Sequence, residues 1–217
     1  MKRIEQNKNS CAQILAAAMT EFSEKAYDGA SVNTICEKNK LSKGRVYHYF
    51  KSKDEIFLAC VEECFDRFSA YLLENIHFDN GDIRKTIGNY FSARYTFFMD
   101  FPELRNIFFI AKLNPPEHLT KKIDAIYAEL EGINDKFVGG VLKYLPLRNG
   151  FSRVKAEDYL SAFETFFYAF FNEMLRKSDK KIDPRELLED YGQAAMDLLL
   201  YGVAVSDEEN CNEKMSS

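Results

Sequence analysis

The sequence contains no run of apolar residues long enough to cross a membrane, although 46% of its 217 residues are hydrophobic. Its first residues, 1–7, are polar and lack the apolar segment of a secretory signal. We therefore expect a protein that stays in the cytoplasm and does not bind membranes. Charged residues make up 29% of the chain, which is ordinary for a globular protein with a substantial core.

Cysteine is too scattered to form a metal centre or a disulfide framework. Five cysteines (Cys11, Cys36, Cys60, Cys64 and Cys211) are an odd number, which indicates reduced thiols. Cys60 and Cys64 are four residues apart and would share a helix face, but no pair of histidines lies near them in the sequence. Small buried residues are the favoured interpretation, with a redox switch as the alternative.

A catalytic constellation is also lacking in the larger part of the chain. His77 and His118 are isolated and stand at predicted loop edges, without a nucleophile or a second metal ligand beside them. We therefore expect no enzymatic activity, no metal and no cofactor.

No segment reads as a series of strands, whereas apolar residues recur at spacings of three and four, as in amphipathic helices. The sequence predicts an all-α fold of about nine helices. They are expected near residues 10–25, 32–39, 43–50, 53–76, 83–99, 102–113, 117–144, 155–177 and 184–202. Residues 206–217 are polar and are expected to be a disordered tail.

Serines are expected to start three of these helices. Ser31, Ser42 and Ser52 each precede a helical pattern and suit the N-cap position. Gly29 is available for a positive φ where the first helix ends. The second and third helices, with a short turn between them, follow the helix-turn-helix plan.

Acidic residues are absent from one stretch, although the whole chain has a net charge of −5. Residues 38–53 contain six basic residues and no acidic one, and residues 1–53 have a net charge of +5 against −10 for residues 54–217. Affinity for a phosphate backbone depends on the contacting face rather than on the whole molecule. Composition alone fits a solvated lysine-rich surface equally well.

The residue types in this basic stretch suit contact with DNA. A recognition helix enters the major groove with its N-terminal residues toward the bases. Gly44 has no side chain and would let the backbone approach DNA closely, which justifies a helical glycine that costs about 1 kcal/mol. Arg45 suits a guanine edge or phosphates, and Lys43 and Lys53 suit phosphates.

The segments SVNTIC, residues 31–36, and LSKGRVYHYFKSKDEIF, residues 41–57, resemble the DNA-binding segment of the tetracycline-repressor (TetR) family. The similarity covers about residues 10–57 and holds nearly position by position over residues 42–53. The rest of the chain is similar to the family only in length and helix number. The resemblance implies a DNA-binding domain at 1–53 and a helical ligand-binding and dimerisation domain at 54–205.

Family roles carry over to the matching positions of this sequence. The resemblance implies that Lys43, Gly44, Arg45, Tyr47 and His48 contact DNA, that Tyr49 and Lys53 fix its backbone, and that Ser31 and Thr34 help from the preceding helix. Phe50 would be a core residue. Taken singly, the aromatic residues and Arg45 fit packing or surface roles, so the joint pattern carries this hypothesis.

Four positions depart from the usual family pattern. Cys36, Asn39 and Lys40 stand where Ala, Ala and Gly are common, and Arg45 replaces a frequent small hydroxyl residue. A left-handed Lys40 would cost about 1 kcal/mol. The change at Arg45 predicts a sequence preference of its own.

The larger domain is rich in aromatic residues, with nineteen Phe, twelve Tyr and no Trp. The family resemblance implies a small-molecule pocket there, and such a lining would favour an apolar or aromatic effector. The candidate lining residues are Phe91, Tyr95, Phe98, Met99, Phe108, Phe109, Phe137, Phe163 and Phe167. An aromatic stripe at helical spacing is more often plain core, and this alternative remains for each of them.

Two C-terminal features indicate a homodimer. The apolar arc of residues 155–177 is too wide for one packing partner, and Ala194 and Ala195 would allow close helix contact. A symmetric dimer matches a palindromic operator on double-stranded DNA. The first hypothesis is therefore a ligand-responsive homodimeric repressor. The alternative is a nucleoid or cell-division factor that uses the same DNA-binding head, residues 1–53, without an inducer.

Overall fold

A computed structural model describes residues 2–79, 82–177, 197 and 200 of the chain. Within these residues the fold is all-α, as predicted, and contains eight α-helices and one short 3₁₀ helix. The helices are α1 (Lys2–Gly29), α2 (Val32–Lys38), α3 (Lys43–Tyr49), α4 (Lys53–Asn75), α5 (Ile83–Asp100), α6 (Pro102–Leu113), α7 (Thr120–Val141) and α8 (Arg153–Lys177), with the 3₁₀ helix at Glu117–Leu119. Apart from residues 197 and 200, the predicted helix 184–202 and the predicted tail lie outside the described residues.

Helix boundaries differ from the predictions mainly at α1, which begins at Lys2 rather than near residue 10, and at α7, which spans Thr120–Val141 rather than 117–144. α1 extends to Gly29, but its helical backbone is interrupted at Ala26, which has a φ of 55° and a ψ of −177°. The positive φ predicted for Gly29 was wrong, because it falls on Ala26 instead. The helix predicted from residue 117 begins at Thr120, since the preceding turn is a 3₁₀ helix that follows Pro116.

The three predicted serine caps are confirmed. The Ser31 hydroxyl accepts a hydrogen bond from the Asn33 amide at 3.2 Å, and the Ser42 hydroxyl accepts one from the Arg45 amide at 3.2 Å. In the same way the Ser52 hydroxyl accepts from the Glu55 amide. These bonds satisfy amide groups that the first turn of a helix leaves without partners.

The turn between α2 and α3 is a Schellman motif with a lysine in the left-handed position. Lys40 has a φ of 53°. Its amide donates to the Glu37 carbonyl, and the Leu41 amide donates to the Cys36 carbonyl at 2.9 Å. Both bonds define this way of ending a helix, in which glycine is the usual residue. The conditional cost predicted for Lys40 therefore applies.

The chain divides into two compact units. The first unit comprises Met1–Tyr71 and Phe97–Glu131, and the second comprises Leu72–Thr96 and Gly132–Ser217. The boundary falls within α4, α5 and α7. In the first unit, aromatic rings from four helices meet: Phe22 of α1 and Phe57 of α4 lie 5.0 Å apart, while Phe68 lies 4.9 Å from Phe98 and 5.3 Å from Phe108.

The second unit is organised around a buried charged network. The Arg94 guanidinium is fully buried and donates to Glu164 at 3.3 Å and to the Tyr168 hydroxyl at 3.0 Å. It also donates to the side chains of Tyr90 and Asn134. A buried charge needs such pairing, because its desolvation is otherwise costly. Around the network lies an apolar cluster of Ile87, Phe137, Val141, Leu160 and Phe163. None of the helices in the described residues is long and apolar enough to cross a membrane.

Candidate nucleic-acid interface

α3 packs one side chain into the head and turns most of the others outward. Val46 is fully buried, and Phe50, just after the helix, is buried as predicted. On the opposite side Lys43, Gly44, Tyr47 and His48 are exposed, with Tyr47 at 49%. Four of the residues predicted to contact DNA therefore lie together on an accessible surface of α3.

Nothing inside the protein requires a glycine at position 44. A Cβ atom added to Gly44 would meet no heavy atom within 4 Å. Glycine in a helix interior lowers stability by roughly 1 kcal/mol relative to alanine. No packing contact within the protein explains this cost at position 44. The open space in front of Gly44 agrees with a backbone that a bound molecule approaches closely.

Arg45 lies across the head rather than pointing freely outward. Its guanidinium donates to the Ser10 hydroxyl at 2.7 Å and to the Gln13 side-chain oxygen at 3.1 Å, both on α1. Both acceptors are neutral side chains. Two neutral acceptors leave the positive charge of Arg45 uncompensated by these bonds, so this half-buried side chain retains its attraction for phosphate or a guanine edge.

Lys53 is partly buried at the start of α4. Its ammonium group lies 4.4 Å from the centre of the Tyr27 ring and 3.5 Å from the Asp28 carbonyl oxygen. A cation over an aromatic face is held by the ring quadrupole. Lys53 is thus fixed beside the first turn of α4, where the helix dipole also favours an anion.

Sequence reasoning missed a polar cluster next to Lys53. The Tyr27 hydroxyl donates to the Asp54 carboxylate, and His118 Nε2 lies 3.4 Å from both side chains. The interpretation of His118 as isolated was therefore wrong. The signal could not be found in the sequence pattern, because His118 is 91 residues from Tyr27.

The other predicted DNA contacts are less exposed than the outward side of α3. Ser31, Thr34 and Tyr49 are partly buried, and the Tyr49 ring meets the His48 ring edge-on at 5.1 Å. In the basic stretch, Lys38 binds Glu21 and Glu24 at 3.3 Å each, and these carboxylates raise the pKa of Lys38. The charge of Lys38 is therefore compensated by two carboxylates of the protein itself.

The aromatic residues proposed to line a pocket are divided between the two units. Phe98, Met99, Phe108 and Phe109 belong to the first unit, and the rest belong to the second unit. In the second unit the Phe91 ring lies 5.7 Å from Phe163 and 4.7 Å from Phe167, Tyr95 meets Phe171, and Phe137 stacks on Tyr90. Each unit therefore contains part of the set, and its role as an effector lining stays a prediction.

The sequence also matches known proteins. The model of the family described as "Bacterial regulatory proteins, tetR family" matches residues 14–60. The biofilm operon icaADBC HTH-type negative transcriptional regulator IcaR of Staphylococcus epidermidis is 30% identical over 132 residues, covering 61% of this chain and 67% of that protein. The chain belongs to the TetR family. The IcaR regulator of Staphylococcus aureus is 26% identical over the same shares of both chains.

Solved structures of TetR-family regulators share the fold. The regulator FadR from Bacillus subtilis, solved in complex with stearoyl-CoA, has a TM-score of 0.67 and 18% identity over 88% of this chain and 98% of that one. A TetR-family regulator from Shewanella has a TM-score of 0.65 and 16% identity over 91% and 99%. As a TetR-family member, the chain is a DNA-binding transcriptional regulator, and the IcaR relatives are regulators rather than enzymes.

Proposed function

We propose that the protein is a homodimeric repressor that binds a palindromic operator through the exposed side of α3 and leaves it when a small apolar or aromatic molecule binds. The observation that carries the proposal is the outward set of Lys43, Gly44, Tyr47 and His48 on a helix-turn-helix with a net positive head. Arg45 and Lys53, with Ser31, Thr34 and Tyr49, complete the proposed contact surface. In this scheme residues 1–53 are the DNA-binding domain.

Repression is supported by the relatives. Both IcaR proteins are negative transcriptional regulators by name, and the Staphylococcus epidermidis protein is 30% identical to this chain. A repressor must bind its operator without effector, and the ready exposure of α3 agrees with this requirement.

Dimerisation is supported by the outer side of α8. Phe166 is 49% exposed, and its ring lies 5.9 Å from that of Phe170, one turn further along the helix. Val154 on the same helix is 65% exposed. Large apolar side chains on one helix are costly in water and favour a partner surface. The proposed small-residue seam at Ala194 and Ala195 lies outside the described residues.

DNase footprinting on the region upstream of the gene tests the proposal. We expect protection of an inverted repeat with half-sites separated by one helical turn, ~34–36 Å, or a multiple of it. The same experiment with a fragment from the interior of the gene serves as the control. Equal and diffuse protection of both fragments would contradict sequence-specific repression.

A further inference from the structure

The second unit contains a small apolar cavity between the end of α4 and α7. It has a volume of about 180 Å³. It is lined by Leu73 in the last turn of α4, by Ile76 and Phe78 just after that helix, and by Ile133, Lys136 and Phe137 on α7. On α7 these residues are three and four apart, so they project from one side of the helix.

Phe78 forms a wall of this cavity, and its ring packs directly against Gly140. Its ring lies 5.3 Å from that of Phe137, and a Cβ atom added to Gly140 would come within 2.6 Å of it. Real Cβ atoms do not approach so closely, so only glycine at position 140 admits the ring in this place. By contrast, a Cβ atom added to Gly132 of the same helix would meet nothing within 4 Å. A helical glycine that costs about 1 kcal/mol thus has a specific reason at Gly140.

Apolar side chains at the cavity remain in contact with solvent. Leu73 is 66% exposed and Phe78 is 44% exposed, in a unit that buries most of its large apolar residues. Leaving such groups in water is unfavourable, and an apolar occupant would cover them. The accessible wall therefore favours a ligand that enters from solvent.

The polar group at the cavity is a lysine. Lys136 is exposed at the rim and forms no salt bridge with the carboxylates of the described residues. An ammonium group beside an apolar cavity complements a molecule with an apolar body and a negative charge at one end. A cationic molecule of the same shape would meet a like charge.

We propose that this cavity binds a ring-sized apolar molecule that carries a carboxylate. Its body would lie against Ile76, Phe78, Ile133 and Phe137, and its carboxylate would pair with Lys136. The volume suits one ring, because a dry apolar cavity of about 150 Å³ holds one benzene molecule, and this cavity is of the same order.

This cavity would be the effector site of the proposed repressor. Only the effect of the ligand on DNA binding rests on the proposed function. Leu73 lies in the last turn of α4 and Ile76 directly follows this helix, which is separated from the end of α3 by three residues. A ligand that moved this end of α4 would bias the positions of the recognition helices by its difference in affinity for their arrangements. Ligand binding itself can be measured without DNA.

Titration of the full chain with benzoate, followed by two-dimensional NMR of labelled backbone amides, tests the site. We expect saturable shifts at Phe78, Ile133 and Phe137. Benzyl alcohol should bind more weakly than benzoate, and benzylamine more weakly still, because only benzoate pairs with Lys136. No saturable shift at these residues, or equal binding of benzylamine, would overturn the proposal.

Two pairs of variants separate the site from general effects on the protein. Lys136→Met should weaken benzoate binding by about 2- to 5-fold, the range of an exposed ion pair, whereas Lys143→Met removes the same charge elsewhere and should not. Gly140→Ala should displace the Phe78 ring and weaken binding by roughly 5-fold or more through lost contacts. Gly132→Ala should leave the affinity unchanged, and equal affinities for the two alanine variants would overturn the assignment.

A parallel DNA titration distinguishes the two proposals. Benzoate binding at the cavity without DNA binding would sink the repressor proposal and leave the site intact. Operator binding without benzoate binding would sink the site and leave the repressor intact.

Discussion

Tyr27 donates its hydroxyl hydrogen bond to the carboxylate of Asp54 and so joins the end of α1 to the first turn of α4. The Tyr27 ring also packs edge-on against Phe57 at 5.1 Å. The Lys53 ammonium group lies 4.4 Å from the centre of the same ring, and His118 Nε2 lies 3.4 Å from the Tyr27 hydroxyl. The ends of the DNA-binding head are thus held to the turn before α7 by one tyrosine.

Because the hydrogen bond from Tyr27 is accepted by a titratable carboxylate, Asp54, we expect its contribution to stability to depend on pH. The hydrogen bond from Tyr27 is the largest influence on the pKa of Asp54 and lowers it, while burial followed by the bond to Asp54 raises the pKa of Tyr27 to about 12. A carboxyl group with a lowered pKa stabilises the fold above its unfolded pKa of about 4, and this stabilisation is lost as the pH falls through the folded pKa.

We therefore expect Tyr27→Phe to lower the free energy of unfolding by about 1 kcal/mol at pH 7, a value reduced for the partial exposure of Asp54. The difference from the wild type should shrink as the pH falls below 4. Urea unfolding at pH 7 and pH 3 measures it. Tyr144→Phe, at a tyrosine that is 58% exposed, is the control. A difference that stays constant with pH would exclude a role for the Asp54 carboxylate.

The left-handed lysine between α2 and α3 predicts a stabilising substitution. Lys40→Gly relieves the strain of a φ of 53° and should raise the free energy of unfolding by up to about 1 kcal/mol. Asn39→Gly, at the neighbouring residue with a φ of −109°, should lower it, since it removes the hydrogen bond from the Asn39 side chain to the Ile35 carbonyl and adds freedom to the unfolded chain. Thermal unfolding of both variants decides the matter, and stabilisation of both equally would argue against strain at Lys40.

The buried pair in the second unit predicts a large loss on removal of one partner. Arg94→Met leaves Glu164 without its charge partner and should lower the free energy of unfolding by about 3–5 kcal/mol. Adding Glu164→Leu to this variant should recover part of the loss. The exposed pair of Arg153 and Glu157 is the matched control, and Arg153→Met should cost less than about 1 kcal/mol. Similar losses for Arg94→Met and Arg153→Met in urea unfolding would contradict this account.

Gly44 separates DNA binding from stability. Gly44→Ala should leave the fold intact or stabilise it by about 0.5–1 kcal/mol, since the added Cβ meets nothing within the protein. The same Cβ should weaken operator binding by about 10-fold or more, equivalent to ~1.4 kcal/mol, because it occupies the space of an approaching backbone. Gly132→Ala should gain similar stability and bind the operator like the wild type. Unchanged operator affinity of Gly44→Ala would show that DNA does not come close to this residue.

The parts of the fold that depend on local pattern could be predicted from the sequence. Serine caps and helical periodicity located α2, α3 and the start of α4, because both signals operate within one or two turns. The sequence also predicted strain at Lys40 in the case that this residue is left-handed, as it is. These signals concentrate in the head, which explains why its exposed side was the best-defined part of the site.

Contacts between distant residues could not be predicted in this way. Asn134 and Glu164 bind Arg94 from 40 and 70 positions away, and each alone reads as an ordinary polar residue on a helix. The division of the aromatic residues between two units likewise follows from tertiary packing, which periodicity does not encode. The positive φ lies at Ala26 rather than at Gly29, so the local preference of glycine did not locate the break in α1.

The most direct test of the central claim is the affinity of the wild-type chain for DNA from its own upstream region. Fluorescence anisotropy at physiological salt would compare a duplex that contains the footprinted repeat with a scrambled duplex of the same composition. We expect the repeat to bind at least ~10³-fold more tightly, with an affinity that falls steeply as salt rises. Equal affinities for the two duplexes would contradict the account.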